Sequence, residues 1–203
     1  MQKDKEKLLT KLKDIGFSDE IVKTFARVKR EFFVPDQLAT YAYEDLALPL
    51  DDGSTLSQPS TTAFMLSLLE PEQNNKILEI GSGSGYVLSL ISEMIKSGKV
   101  YGIEINPRLA IKSKKTLERD SNIEIINRSG LNGLPEQEPF DRILVSASFE
   151  DKSIPLKLLE QLKDPGILVC PVKNSILQIK KSNSITTEKS YPGYAFVPFV
   201  SEE

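Results

Sequence analysis

Histidine is absent from this 203-residue chain, tryptophan is absent too, and there is one cysteine, Cys170. Without histidine, no mechanism here can use an imidazole as base, nucleophile or metal ligand. That removes Ser-His-Asp hydrolases, papain-like proteases and zincins together. A single cysteine excludes an internal disulfide framework and a cysteine-rich metal site. No apolar run approaches the roughly 18 residues that a membrane span requires. The opening MQKDKEKLLTKLKDIGF is basic but lacks a continuous apolar core, so it does not read as a signal peptide, and the expected location is the cytoplasm. A dominant charge sign is also missing: 26 Lys and Arg stand against 29 Asp and Glu. A broad nucleic-acid-binding face is therefore not expected. Internal repeats and low-complexity segments are absent.

What is present suits one ordinary globular domain, at 39% hydrophobic and 27% charged residues. Residues 5–30 carry helical spacing, with Leu8, Leu12 and Ile15 before Gly16 and Ile21, Phe25 and Val28 after it. Asp19 and Glu20 suit the start of the second helix. Residues 31–58 have no clear period, and Asp51-Asp52-Gly53 signals a turn. A segment this long without regular pattern is often functional. Pro59 suits the first position of a helix containing Ala63, Phe64, Leu66 and Leu68. Apolar β-type runs then follow at 76–80, 99–105, 123–127, 140–148 and 166–172. Helical stretches lie at Tyr86–Lys96, after Asn106-Pro107, and from Pro155 to Leu162. Strand–helix alternation with nearly continuous apolar strands predicts a parallel sheet with helices on both faces. After 173, SILQIKK and FVPFV flank a polar SNSITTEKS, which predicts a closing antiparallel hairpin at the sheet edge.

The strongest local signal is Leu78-Glu79-Ile80-Gly81-Ser82-Gly83-Ser84-Gly85, which ends a strand and opens a helix. Glycines there allow a tight turn and close backbone approach to a ligand. A dinucleotide fingerprint would need glycine where this chain has Tyr86, and no Gly-Lys-Ser/Thr follows. The Glu-x-Gly-x-Gly-x-Gly form resembles motif I of the class I methyltransferases, which bind S-adenosylmethionine. Glu104, ending the next strand, suits a bidentate grip on two ribose hydroxyls. After the fourth strand, Val145-Ser146-Ala147-Ser148 differs from the Asp/Asn-Pro-Pro-Tyr/Phe of amino-group methylation. Cys170-Pro171 reverses the Pro-Cys of cytosine C5 methylation, and Cys170 reads as a small core residue. No metal-carboxylate cluster with a base is visible, so no metal is expected. A carboxylate acceptor fits what remains, because at neutral pH it is already ionised and nucleophilic.

Three further blocks sharpen this. Arg30-Glu31-Phe32-Phe33-Val34-Pro35, then Ala42-Tyr43-Glu44-Asp45-Leu46-Ala47-Leu48-Pro49-Leu50, then Thr55-Leu56-Ser57-Gln58-Pro59 resemble the protein-L-isoaspartate (D-aspartate) O-methyltransferase family. That family carries R-E-x-F-V-P, A-Y-x-D-x-x-L-P-I and T-I-S-Q-P ahead of the glycine loop. Pro139-Phe140-Asp141-Arg142-Ile143, Gln161-Leu162, Leu168-Val169-x-Pro171-Val172 and Phe196-Val197-Pro198 also match, so the resemblance runs from about residue 26 to 200. It implies that Ser57 is the active-site serine and that Ser54, Thr55, Leu56 and Ser57 lie along cofactor and substrate. Thr62 would approach the cofactor, Glu79, Gly81 and Gly83 would hold its methionine end, and Glu104 its ribose. Ser129 and Gly130 would lie beside the adenine, and Phe196-Val197-Pro198 near the bound peptide. One departure stands out: Arg128-Ser129-Gly130 replaces the usual Gly-Asp-Gly. Ser54 also replaces a common glutamine. A serine before Gln-Pro also suits a helix cap. With no histidine to activate it, Ser57 is expected to orient the acceptor carboxylate rather than attack.

The expectation is thus an α/β fold of the class I methyltransferase Rossmann-like type. The sheet is mostly parallel with a C-terminal antiparallel hairpin and an N-terminal helical extension. Residues 1–203 form one domain, with 1–58 as helices and active-site segment, 59–172 as the S-adenosyl-L-methionine-binding core and 173–203 as the hairpin. The implied reaction is methylation of the free carboxylate of L-isoaspartyl residues in damaged proteins, with D-aspartyl residues left open as a second acceptor. A cytoplasmic monomer acting on such proteins and peptides is expected, without nucleic acid or membrane as partner. Methylation of another peptide or small acid, or an inactive cofactor-binding interaction protein, are the alternatives.

Overall fold

The computed structural model describes residues 1–151 and 156–200. Helices α1 (Gln2–Ile15) and α2 (Asp19–Arg27) break at Gly16 as the spacing predicts. The Ser18 hydroxyl caps α2 by accepting from the Ile21 amide, and Asp19 and Glu20 fill its first turn. Leu8, Leu12, Ile21 and Phe25 are buried, but Ile15 is not: it lies at the rim beside Gly16 and is 52% exposed. Residues 31–58 fold into 3₁₀ turns and a two-residue pair, β1 (Leu48–Pro49) with β2 (Thr55–Leu56). Pro59 does open α3 (Pro59–Leu69), whose Ala63, Leu66 and Leu69 are fully buried.

The remaining strands are β3 (Lys76–Ile80), β4 (Lys99–Glu104), β5 (Ile123–Asn127), β6 (Phe140–Val145), β7 (Leu162–Val172), β8 (Ser175–Ser182) and β9 (Ile185–Pro192). They form one seven-stranded sheet, ordered β5-β4-β3-β6-β7-β8-β9. β5 through β7 run parallel, and β8 and β9 are antiparallel additions. Between them lie α4 (Tyr86–Ile95), α5 (Pro107–Thr116) and α6 (Leu156–Glu160). Asn106 caps α5, its side-chain oxygen accepting from the amides of Arg108 and Leu109. Period-two alternation divides the sheet: Ile77, Val100, Leu144 and Val169 pack with the helices α1 to α4. Leu78, Ile80, Ile143, Val145 and Cys170 pack on the opposite face with Leu134 and Leu158. Cys170 is fully buried, as expected of a small core residue, and its thiol is pushed up by burial.

Three expectations need correction. The hairpin partner of β8 is Ile185–Pro192, from the stretch read as a polar connection, and not FVPFV. The turn is Asn183-Ser184, both at positive φ (52° and 62°), and it matches the two-residue turn favoured between antiparallel strands. Phe196–Val200 instead runs back across the sheet's carboxyl end as an irregular strap, with one bridge from Pro198 to Ser148. The fourth apolar run stops being strand at Val145, and the fifth begins earlier, at Leu162. Pro155 lies outside the described residues.

Candidate active site

The strand order reverses between β4 and β6 around the central β3, so the crevice lies at the carboxyl ends of these strands. A cleft opens there, lined by Gly81 and Gly83 after β3, Glu104 and Ile105 after β4, Gly130 after β5 and Ser146 after β6. Gly81 and Gly83 stand at φ +78° and +53°, backbone that side-chain-bearing residues rarely adopt. A side-chain carbon on Gly81 would project toward Ala147 on the opposite wall. The turn therefore brings bare backbone to the cleft surface.

Glu104 is only 5% exposed, which excludes a solvated strand-end acid. Its carboxylate is fixed by two backbone donors: the Gly83 amide to Oε2 at 2.6 Å and the Asn106 amide to Oε1 at 2.8 Å. Each oxygen keeps a second lone pair. Glu79 lies behind the cleft, 1% exposed, with Ser146 donating to its Oε1. Its Oε2 is buried without a partner. Burial, the dominant cause, and the nearby Glu104 carboxylate push Glu79 up to about 8, with the Ser146 bond opposing.

A second cavity adjoins the first. It is lined by Ala47, Ser57, Gln58, Thr61, Tyr194 and Phe196. Thr55, Ser146 and Val197 belong to both linings. Among the described residues, no charged side chain lines the second cavity. Ser57 thus sits in the second cavity and not in the first, and Gln58 rather than Ser57 is the N-cap residue of α3. Residues Val197–Val200 lie across the first cleft. They are pinned by Ser148, whose amide donates to the Val197 carbonyl and whose carbonyl accepts from the Phe199 amide, each at 2.8 Å.

The structure brings together Ser54, Thr55, Gly81, Gly83, Glu104 and Gly130 in one lining. Leu56 and Thr62 are buried and line neither cavity, though the Thr62 hydroxyl is without a partner. Ser129 stands at the margin, its hydroxyl accepting from the Leu131 amide. Ser146 was not singled out by its sequence. The available signal was its place at the carboxyl end of a central parallel strand, where site residues concentrate.

Residues 2–203 match the family model described as protein-L-isoaspartate(D-aspartate) O-methyltransferase. The chain belongs to this family. Relatives named protein-L-isoaspartate O-methyltransferase include one from Methanopyrus kandleri, 36% identical over 98% of this chain and 92% of its own. One from Methanothrix thermoacetophila is 38% identical over 98% and 95%. A solved protein-L-isoaspartate O-methyltransferase superposes with a TM-score of 0.87 at 29% identity, covering 97% of this chain, which spans 66% of that longer one. The fold is shared as well with a Plasmodium falciparum protein solved with S-adenosyl-L-homocysteine, at TM-score 0.83 and 24% identity, covering 96% of this chain and 97% of that one. Family membership fits the paired cavities, and the Arg128-Ser129-Gly130 departure falls at the cleft margin beside Gly130.

Proposed function

We propose that this protein methylates the free carboxylate of L-isoaspartyl residues in damaged proteins, using S-adenosylmethionine. The carrying observation is the pair of adjoining cavities that share Thr55, Ser146 and Val197. One is rimmed by bare glycine backbone and a fixed carboxylate, the other by Ser57 and neutral groups. When bound, S-adenosylmethionine supplies an electrophilic methyl group on its sulfonium. The residues present fit it: Glu104 offers lone pairs to the ribose hydroxyls, and the orphaned Glu79 Oε2 awaits a cationic donor. Gly81, Gly83, Gly130, Ser54 and Thr55 form the walls, with Ser129 at the adenine side and the buried Thr62 and Leu56 behind them.

Ser57 orients the acceptor carboxylate by hydrogen bonding. The acceptor is ionised at neutral pH and needs no base, consistent with a cavity lined by neutral side chains. Catalysis is then chiefly positioning of a competent nucleophile in a site shielded from water. An isoaspartyl linkage puts the free carboxylate on the α-carbon and lengthens the backbone by a methylene. Fixed donors reject the normal aspartyl isomer because they would go unpaired.

Residues 1–203 act as one methyltransferase domain in this reading, divided at 58 and 172 into active-site segment, cofactor core and C-terminal strands. The near-balanced charge supports protein substrates rather than nucleic acid, and a cytoplasmic monomer is the simplest working form. Among the described residues, no helix is long and apolar enough to cross a membrane. The experiment compares an isoaspartyl peptide with its aspartyl twin, reading methanol released by base after incubation with S-adenosylmethionine. Methylation of the first alone is expected. Equal methylation of both, or of a small acid only, would overturn the substrate assignment.

A further inference from the structure

Arg30 is 0% exposed, yet it has no carboxylate partner within ion-pair distance among the described residues. Its Nη2 donates to the Ser57 carbonyl at 2.9 Å, and its guanidinium lies 5.0 Å from the centre of the Tyr86 ring. Nε and Nη1 are buried with no partner. The nearby acids are committed elsewhere. Asp45 holds Lys11 and the Ser60 amide, and Glu31 accepts from the Tyr43 hydroxyl. A buried guanidinium stays charged, and an uncompensated buried cation is strongly unfavourable. The Tyr86 hydroxyl and the Asp45 carboxylate offset part of that cost, while two guanidinium nitrogens stay buried and unpartnered.

The contact with Ser57 leads to the second cavity. Ser57 and Gln58 both line it, and among the described residues its lining carries no charged side chain. The Ser57 carbonyl that Arg30 holds belongs to the same peptide unit as the Gln58 amide, which has no hydrogen-bond partner among the described residues. A cationic donor on a carbonyl polarises the peptide unit and strengthens its N–H as a donor. Arg30 also ties two elements together, because Tyr86 opens α4 directly after the glycine loop.

We propose that Arg30 is a positioning residue for the methyl acceptor: it fixes Ser57 and, through the Ser57–Gln58 peptide unit, supplies the counter-charge for the acceptor carboxylate. This rests on the carboxyl-methylation reading above. It explains why Arg30 is fully buried, and why the acceptor cavity can hold an anion with neutral walls.

The test uses the protein loaded with S-adenosyl-L-homocysteine and two peptides, one isoaspartyl and one identical except that the free carboxylate is a carboxamide. Dissociation constants are read by calorimetry for wild type, Arg30→Lys and Arg30→Gln, with kcat measured in parallel. Wild type should prefer the carboxylate by about thirtyfold, and Arg30→Gln should reduce that preference to about threefold or less. S-adenosyl-L-homocysteine affinity should stay within about threefold in both variants, which a general loosening of the fold would not allow. Arg30→Lys should keep the preference but lose about tenfold in kcat, because an ammonium lacks the planar fork that both stacks and donates. A wild-type preference below about threefold overturns the proposal even if neither variant folds. So does Arg30→Gln retaining the full preference, or Arg30→Lys losing it. Wild type that fails to methylate the isoaspartyl peptide while methylating another acid would instead overturn the functional reading.

Discussion

The Ser146 hydroxyl donates to Oε1 of Glu79 across 2.7 Å, joining the ends of the two central parallel strands beneath both cavities. The other oxygen of that carboxyl faces no partner. Glu79 is therefore held in place but left half satisfied.

A pH dependence follows. Glu79 titrates near 4.5 when unfolded and near 8 in the fold, chiefly through burial. Between those values the folded protein holds a proton that the unfolded chain has lost. Its stability contribution is present at low pH, declines as pH rises through the window, and levels off above about 8. The melting temperature of the unliganded protein should fall over that range, and Glu79→Gln should flatten the slope. If Glu79 meets the cofactor's ammonium, binding near neutral pH releases a proton, seen by calorimetry in buffers of different ionisation heat. No release would remove Glu79 from the methionine end.

Glu104→Ala should weaken S-adenosylmethionine at least about tenfold, close to 1.4 kcal/mol. The loss includes the shared ribose acceptor and the restraint on Gly83 and Asn106. Unchanged affinity by calorimetry would refute the ribose role.

Ser57→Ala should cut kcat/KM for the isoaspartyl peptide about tenfold while cofactor affinity stays within about threefold. Ser57 lines the second cavity and not the first, so the two effects separate. Equal loss of both would place its hydroxyl on the cofactor instead.

Ser129→Asp restores the carboxylate common in the family. Binding of S-adenosylmethionine should hold or tighten, since a charged hydrogen bond is worth about 1.5–3 kcal/mol. A large loss would show that the 128–130 turn is built around serine.

Chelators should leave turnover unchanged, because an ionised carboxylate acceptor needs no Lewis acid. Activity that disappears with EDTA and returns with one metal would contradict this.

Local signals made much of the fold legible. β3 and β5 occupy the apolar runs 76–80 and 123–127, and Asn106-Pro107 opens α5 as its capping chemistry requires. The glycine loop could be read because it is contiguous. β9 could not: its side chains are almost all exposed, so no apolar face produces an alternation. FVPFV misled for the converse reason, as its apolar residues pack in a strap rather than a ladder. Arg30 was visible only as part of a motif, because its contact with Ser57 spans the whole irregular segment. Ser146 drew attention for what it was not, and its value emerges only when β6 is placed beside β3.

The strap has a consequence for traffic. The cleft beneath it encloses about 100 Å³, and the second cavity about 190 Å³. A nucleoside-sized molecule needs several hundred. Since Val197 walls both spaces, the two backbone bonds at Ser148 set the width of both at once, and a change at that one residue would be felt by cofactor and acceptor together.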